Sequence, residues 1–199
     1  MYPLFESIAF VDGSFRNPGY HIRRINDSAL RLFGSIPEFD PMAIFNTELP
    51  GSRELFKYRV MYNRQGFTGE FSPYKRRTIR SLKLVEDNTI DYSLKYSDRK
   101  KLEELYGYRE GADEIIIVKN SLLTDTSYSN LLFRRGKKFY TPASPLLKGT
   151  ARQMLIDSGK TEVIEIRAAD LSSFESLTLL NAMNTHEDGM EEIPVSNIF

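Results

Sequence analysis

The run "DEIIIVKN" at residues 113–120 limits the fold more than any other stretch. Its apolar block is continuous but too short for a typical helix, so it reads as a strand of the buried type. Such a strand needs neighbours, and the chain supplies them. "PLFESIAFVDGSF" alternates weakly around Asp12-Gly13, a hairpin dipeptide, and predicts strand, turn, strand. "YHIRRINDSALRLFG" spaces Ile22, Ile25, Ala29 and Leu32 as a helix that stops at Gly34 and presents Arg23 and Arg24 early. "SRELFKYRVMYN" and "YKRRTIRSLKLVE" predict strands with one wet face, and "NRQGFTGEFSP" between them predicts a loop able to border a site. The texture changes after "EDN", which places a domain boundary near residues 85–89 and predicts domains at 1–86 and 87–199.

In the second part "TIDYSL" predicts a short strand and "SDRKKLEELYG" a helix with Leu102 and Leu105 on one face. "NLLFRRGKKFYTP" predicts two strands about a glycine-lysine turn, and "KGTARQMLIDSG" a helix opened by a glycine. "TEVIEIRA" is a further strand and "DLSSFES" a short capped helix, with "LTLLNAM" and "IPVSNIF" finishing the sheet. Strands and helices alternate without a barrel's period, so the expected class is α+β in two mixed domains. A hydrophobic share of 41% in 199 residues is enough for a core, and 27 basic against 27 acidic side chains leave no global field for nucleic acid or an anionic membrane. With no cysteine and only His21 and His186 as imidazoles, thiolate and multi-histidine metal sites and a Ser-His-Asp relay are poorly supplied. The amino terminus lacks a basic region followed by a long apolar run, so a cytoplasmic location without a membrane span is expected.

Lys95, where "DYSLKYSDRK" changes from alternating to helical texture, is the first chemical candidate. Taken alone it reads as a solvated surface charge, since only desolvation or nearby charge makes an amine nucleophilic. Downstream stand "LLTDTSYSNLLF", "FYTP" and "LLKGTARQ", and in this order the pieces resemble the class IV aminotransferases, pyridoxal-phosphate enzymes of fold type IV. The resemblance covers most of the chain and implies the two-domain architecture of D-amino acid aminotransferases, with a trimmed N-terminal domain because the chain is shorter than typical members. It implies pyridoxal 5'-phosphate as cofactor, Lys95 as its anchor, and Arg24 of "HIRRI" as the phosphate-binding arginine. It matches Asp125 to the carboxylate that keeps the ring nitrogen protonated, although most members carry glutamate there. It further matches Asn130, Tyr140-Thr141-Pro142, the glycine-opened helix of Gly149, Thr150, Ala151 and Arg152, and Asn181 of "LLNAM" at the phosphate end.

The chemistry of the cofactor explains the set: an amine for its aldehyde, a carboxylate for its ring, and cations or helix-start amides for its phosphate. Each residue also has a plainer reading. Asp125 suits a turn, "GTAR" an ordinary helix start, and the two asparagines structural amides. Lys95 followed by Arg99, "NLLFRRGKKFYTP" and "NAM" resemble the 4-amino-4-deoxychorismate lyase branch. That implies cleavage to 4-aminobenzoate and pyruvate for folate precursor synthesis, with Lys95 as base and Lys95, Ser7 or Tyr140 protonating the leaving group. Transamination of branched-chain or D-amino acids on the same residues is the alternative, and a cofactor-free binding protein that kept only the fold is the third. A small amine or amino acid is the expected substrate, and a homodimer the expected assembly.

Overall fold

The computed structural model describes residues 2–199, and these divide into two compact units. The first runs to Arg76 and includes Leu94–Asp98; the second comprises Arg77–Ser93 and Arg99–Phe199. The expected boundary after residue 86 therefore falls inside the second unit, at the end of a strand paired within it.

In the first unit, β1 (Leu4–Val11) turns through Asp12 and Gly13, both at positive φ (51° and 77°), into β2 (Ser14–Phe15). Helix α1 (Pro18–Phe33) starts on a proline and ends at Gly34, whose φ of 75° lets its N–H donate to Leu30 O at 3.0 Å. Its buried positions are His21, Ile25, Ser28 and Ala29. The expected apolar stripe is thus rotated: Leu32 is exposed, and a histidine and a serine face inward. Strands β3 (Phe56–Tyr62) and β4 (Phe67–Pro73) complete a sheet of order β2-β1-β3-β4.

The segment expected to be a loop is therefore mostly strand. Only residues 63–66 turn, with Asn63 Oδ1 accepting from the amides of Gln65 and Gly66. Glycine and polar residues occur in β4 because it is an edge strand, and because Gly69 makes room for Tyr58. A Cβ at Gly69 would lie 2.2 Å from the Tyr58 hydroxyl and 2.5 Å from its Cζ. Tyr58 is buried and stacks on Phe71 with centroids 4.4 Å apart. Gly69→Ala is accordingly expected to destabilise the protein by about 1–3 kcal/mol in urea denaturation, the usual cost of overpacking; an unchanged midpoint would show that Tyr58 is not seated there.

The second unit holds two sheets. Strand β5 (Leu82–Glu86) runs parallel to β6 (Glu114–Lys119), which pairs antiparallel with β7 (Leu122–Leu123); α2 (Lys100–Gly107) lies between β5 and β6 in the chain. Both Leu102 and Leu105 are buried, as their spacing predicts. Strands β8 (Asn130–Arg135) and β9 (Lys138–Pro142) form a hairpin about Gly136-Lys137. Helix α3 (Thr150–Asp157), β10 (Glu162–Ile164), β11 (Ser176–Leu180) and β12 (Ile193–Pro194) follow, giving the order β10-β9-β8-β11-β12. Ile116 and Val118 of one sheet share a core with Leu131, Phe133, Leu177 and Leu179 of the other.

One expected strand is shortened and another is absent. Of "YKRRTIRSLKLVE" only β5 forms, residues 74–81 adopting no regular structure, and "TIDYSL" is irregular. In the latter, the Asp87 carboxylate accepts from the amides of Thr89 and Ile90, and Asp91 from that of Ser93. Such local side-chain bonds compete with a strand ladder for the same backbone donors.

Candidate active site

Lys95 therefore stands on a short segment docked to β1 rather than on a strand of its own. Its carbonyl accepts from Phe5 N at 3.0 Å, Ser97 N donates to Pro3 O at 2.8 Å, and Leu4 and Tyr96 form a single antiparallel bridge. Leu94 is buried in the core of the first unit and pins the segment from below. The Lys95 amine lies 4.6 Å from the centroid of the Phe5 ring.

Alternation along β1 divides its side chains between two surfaces. Leu4, Glu6 and Ile8 pair with Tyr62, Val60 and Tyr58 on the side facing α1; Phe5 and Ser7 pair with Met61 and Arg59 on the other. Arg59 places its guanidinium carbon 4.2 Å from the Phe5 centroid. Its cross-strand neighbour on β4 is Glu70, yet among the described residues the Arg59 side chain makes no ion pair and no hydrogen bond. Phe5, Ser7, Arg59 and the Lys95 amine thus lie toward one surface, on which the charge of Arg59 has no ion pair among the described residues. Tyr140, the other hydroxyl considered as a proton donor, is buried beside Phe174 in the core of the second unit, with Arg135 over its ring.

On the helix side, Glu6 is fully buried and receives Arg24 by both Nε, at 2.8 Å to Oε1, and Nη2, which meets Oε2. His21 Nδ1 lies 2.7 Å from Oε2 of the same carboxylate. Burial works to raise the Glu6 carboxyl, but the charge of Arg24 and the bonds from His21 and Arg24 prevail and hold it at about 2. Burial keeps His21 below the ordinary imidazole value, the charges of Arg24 and Lys95 push the same way, and Glu6 opposes them. His21 is thus neutral near pH 7 and donates from Nδ1 to an ionised Glu6. Arg23, in contrast, is exposed and lies over the Tyr20 ring.

The second unit assembles the other matched residues. Asp125 is buried and tied by backbone to β6, its carbonyl accepting from Ile117 N at 2.8 Å. Its Oδ1 accepts from Asn130 Nδ2 at 2.7 Å and its Oδ2 from Leu147 N at 2.8 Å. Burial pushes the carboxyl up to about 7, against the pull of the Leu147 amide, the Asn130 side chain and the Arg152 charge. Asn130 also donates to Leu147 O at 2.8 Å, so it locks Asp125 to the chain leading into α3. Gly149 is needed for this closeness: a Cβ there would lie 1.9 Å from Asn130 Oδ1. After it, Thr150 and Ala151 open α3, and Gly149 has no side chain to cap their amides.

Three matched residues act on neighbouring chain segments. Arg152 is buried and donates to Thr141 Oγ1 at 3.1 Å and Pro142 O at 2.7 Å, which explains why "YTP" and "GTAR" accompany each other. Asn181 donates to Ser129 Oγ at 3.0 Å, and its Oδ1 accepts from the amides of Met183 and Asn184. Arg99 donates to Ser127 O at 2.7 Å and to the Tyr92 hydroxyl at 3.1 Å, with its guanidinium over Tyr128. It clamps the segment between Asp125 and Asn130. Glu6, His21 and Arg59 were not singled out by sequence reasoning. The available signals were a carboxylate within the apolar run "LFESIAF" and a histidine three residues before Arg24 on one helix face.

The model of the family described as "Amino-transferase class IV" matches residues 60–198, well over half of the chain. The chain belongs to the class IV aminotransferase family. An uncharacterized protein of Haemophilus influenzae is 37% identical over 186 residues, covering 92% of this class IV chain and 99% of its own. A crystal structure from Haemophilus somnus, provisionally assigned as a 4-amino-4-deoxychorismate lyase, is also 37% identical, with a TM-score of 0.88 over 93% of this chain and 98% of that one. A hypothetical aminotransferase from Mycobacterium tuberculosis, in a PLP-bound form, shares the fold at 19% identity and a TM-score of 0.73, over 98% of this chain and 81% of that one. The α+β fold is thus that of class IV aminotransferases. Among the described residues, no helix is long and apolar enough to cross a membrane.

Proposed function

We propose that this chain is a pyridoxal-phosphate-dependent lyase that converts 4-amino-4-deoxychorismate to 4-aminobenzoate and pyruvate. The observation that carries the reading is the surface formed by the Lys95 amine, Phe5, Ser7 and Arg59, a reactive-type amine beside a cation that lacks a counter-charge. The likeness to the Haemophilus somnus protein supports the lyase form of the reading.

The residues fit the cofactor's needs. Glu6 holds the planar Arg24 guanidinium by one edge, which suits the opposite edge to a phosphate. The start of α3 offers amides with no acceptor inside the helix, which suits the same kind of anion. Asp125 is a buried carboxyl held by the Asn130 side chain and the Leu147 amide, and a carboxyl raised by burial gains from a cationic ring N–H.

When bound, the cofactor supplies an electron sink for the charge left when a proton departs from the carbon beside the substrate nitrogen. Lys95 would anchor it and, as a free amine beside the bound substrate, would take that proton. Asp125 would hold the proton on the ring nitrogen, Asn130 keeps Asp125 in place, and Asn181 shapes the 181–184 turn. Arg59 binds the substrate carboxylate, and Ser7, its cross-strand neighbour, protonates the enolpyruvyl oxygen as its bond to the ring carbon breaks. The cyclohexadiene becomes aromatic as this group leaves.

Transamination would use the same residues, so the test must follow products. Catalytic release of pyruvate from aminodeoxychorismate without a keto-acid acceptor is expected. Stoichiometric conversion of the cofactor to its aminated form by an amino acid donor, with no pyruvate from aminodeoxychorismate, would assign a transaminase instead. A colourless protein that takes up no pyridoxal phosphate after reconstitution would return the chain to a binding role. Folate precursor synthesis in the cytoplasm by a homodimer is the setting that this reading implies.

A further inference from the structure

The carboxylate of Glu6 is a fully buried charge in the first unit. It interrupts the inward-facing apolar side of β1, where Leu4 and Ile8 flank it, and it is ionised at 0% exposure. A buried ion pair is a poor device for stability, because desolvation consumes most of the attraction and an apolar side chain would serve the core as well. The expense makes sense if the pair holds Arg24 in one orientation.

We infer that Glu6 and His21 are positioning residues that aim the Arg24 guanidinium at the phosphate of the cofactor. The inference rests on the phosphate role proposed for Arg24. Two parallel bonds, from Nε to Oε1 and from Nη2 to Oε2, fix the plane of the fork as one bond would not. His21 Nδ1, 2.7 Å from Oε2, stops the carboxylate rotating about its own axis. His21 and Arg24 lie three residues apart on α1, and Glu6 lies on the strand beneath, so all three anchors belong to regular elements. The edge of the guanidinium away from Glu6 is then presented in a constant direction. Lys95 is within electrostatic reach of the same group, since its charge acts on His21.

The test compares equilibrium binding of pyridoxal 5'-phosphate with that of pyridoxal, which lacks the phosphate, to the full-length apoprotein. Glu6→Gln is expected to weaken pyridoxal phosphate by on the order of 10–100-fold, the size found for outer partners of metal ligands, while pyridoxal changes by less than about threefold. His21→Asn keeps an N–H near the Nδ1 position and should bind like the wild type, whereas His21→Leu should follow Glu6→Gln. These histidine variants leave the Glu6–Arg24 pair intact and serve as an independent arm. Equal weakening of both ligands, or weakening of neither, would mean a purely structural role and overturn the inference. Arg24→Gln separates the two levels of the reading. If it loses phosphate selectivity and Glu6→Gln does not, the inference alone fails; if Arg24→Gln keeps the selectivity, the phosphate role of Arg24 fails and takes the inference with it.

Discussion

Lys95→Ala is expected to abolish the visible absorbance of the protein mixed with pyridoxal phosphate and to lower kcat by about 10²–10⁴-fold, the range for loss of a positioned base, or by more if the covalent anchor is also essential. The fold should survive the change. The segment is held through backbone groups, from Phe5 N to Lys95 O and from Ser97 N to Pro3 O, and through the buried Leu94. The change removes the contact of the amine with the Phe5 ring, worth about 0.5–1 kcal/mol at sites of this kind, and leaves these backbone anchors in place. The experiment therefore reads chemistry with little interference from stability. Retained absorbance and activity would sink the assignment of Lys95, whatever the substrate proves to be.

Asp125→Asn should remove a pH dependence from the stability of the cofactor-free protein. The Asp125 carboxyl is raised from 3.8 to about 7 in the folded chain, so between these values the folded state binds more protons than the unfolded one. The stability linked to it is fully present below about pH 4 and is lost as pH rises through about 7, by up to about 4 kcal/mol on the linkage relation. His21 is shifted downward and acts in the opposite direction below its ordinary value, while Glu114, raised by burial, acts in the same direction as Asp125. Glu6, held at about 2, contributes stability that is lost only as pH falls from about 4.5 through about 2. Measuring the difference between wild type and Asp125→Asn cancels these other groups.

The variant loses one acceptor facing Asn130 or Leu147, a cost of about 1–3 kcal/mol that is constant with pH. The slope is therefore the readout: wild type should lose stability relative to the variant from pH 4.5 to 8. Parallel curves would show that Asp125 titrates normally. Saturating pyridoxal phosphate should suppress the decline, because a cationic ring N–H beside Asp125 favours its ionised form.

Much of the framework is legible in the residues. The continuous apolar run of β6, the glycine stop of α1 and the Leu102–Leu105 face of α2 each act through local geometry, so their pattern survives in the chain itself. The places where sequence reasoning failed share a cause. β4 reads as a loop because Gly69 answers to Tyr58 on another strand. The stretch before Lys95 reads as a strand because alternation does not reveal that Asp87 and Asp91 have captured its amides. The helix stripe reads as purely apolar because His21 and Ser28 face inward toward polar partners of the fold rather than toward hydrocarbon.

By itself, the sequence determined the α+β class and the family, and it marked out the ordered set of Arg24, Lys95, Asp125, Asn130, Gly149 and Asn181 that we propose for the cofactor, since residue type and spacing persist without coordinates. Only the tertiary structure decided how these side chains are held. Glu6 is fifteen residues from His21 and eighteen from Arg24, and Leu147 is twenty-two from Asp125. Hydrogen bonds across such separations depend on which strand lies beside which helix, and burial, which sets the charge of each group, exists only once the chain has closed around it.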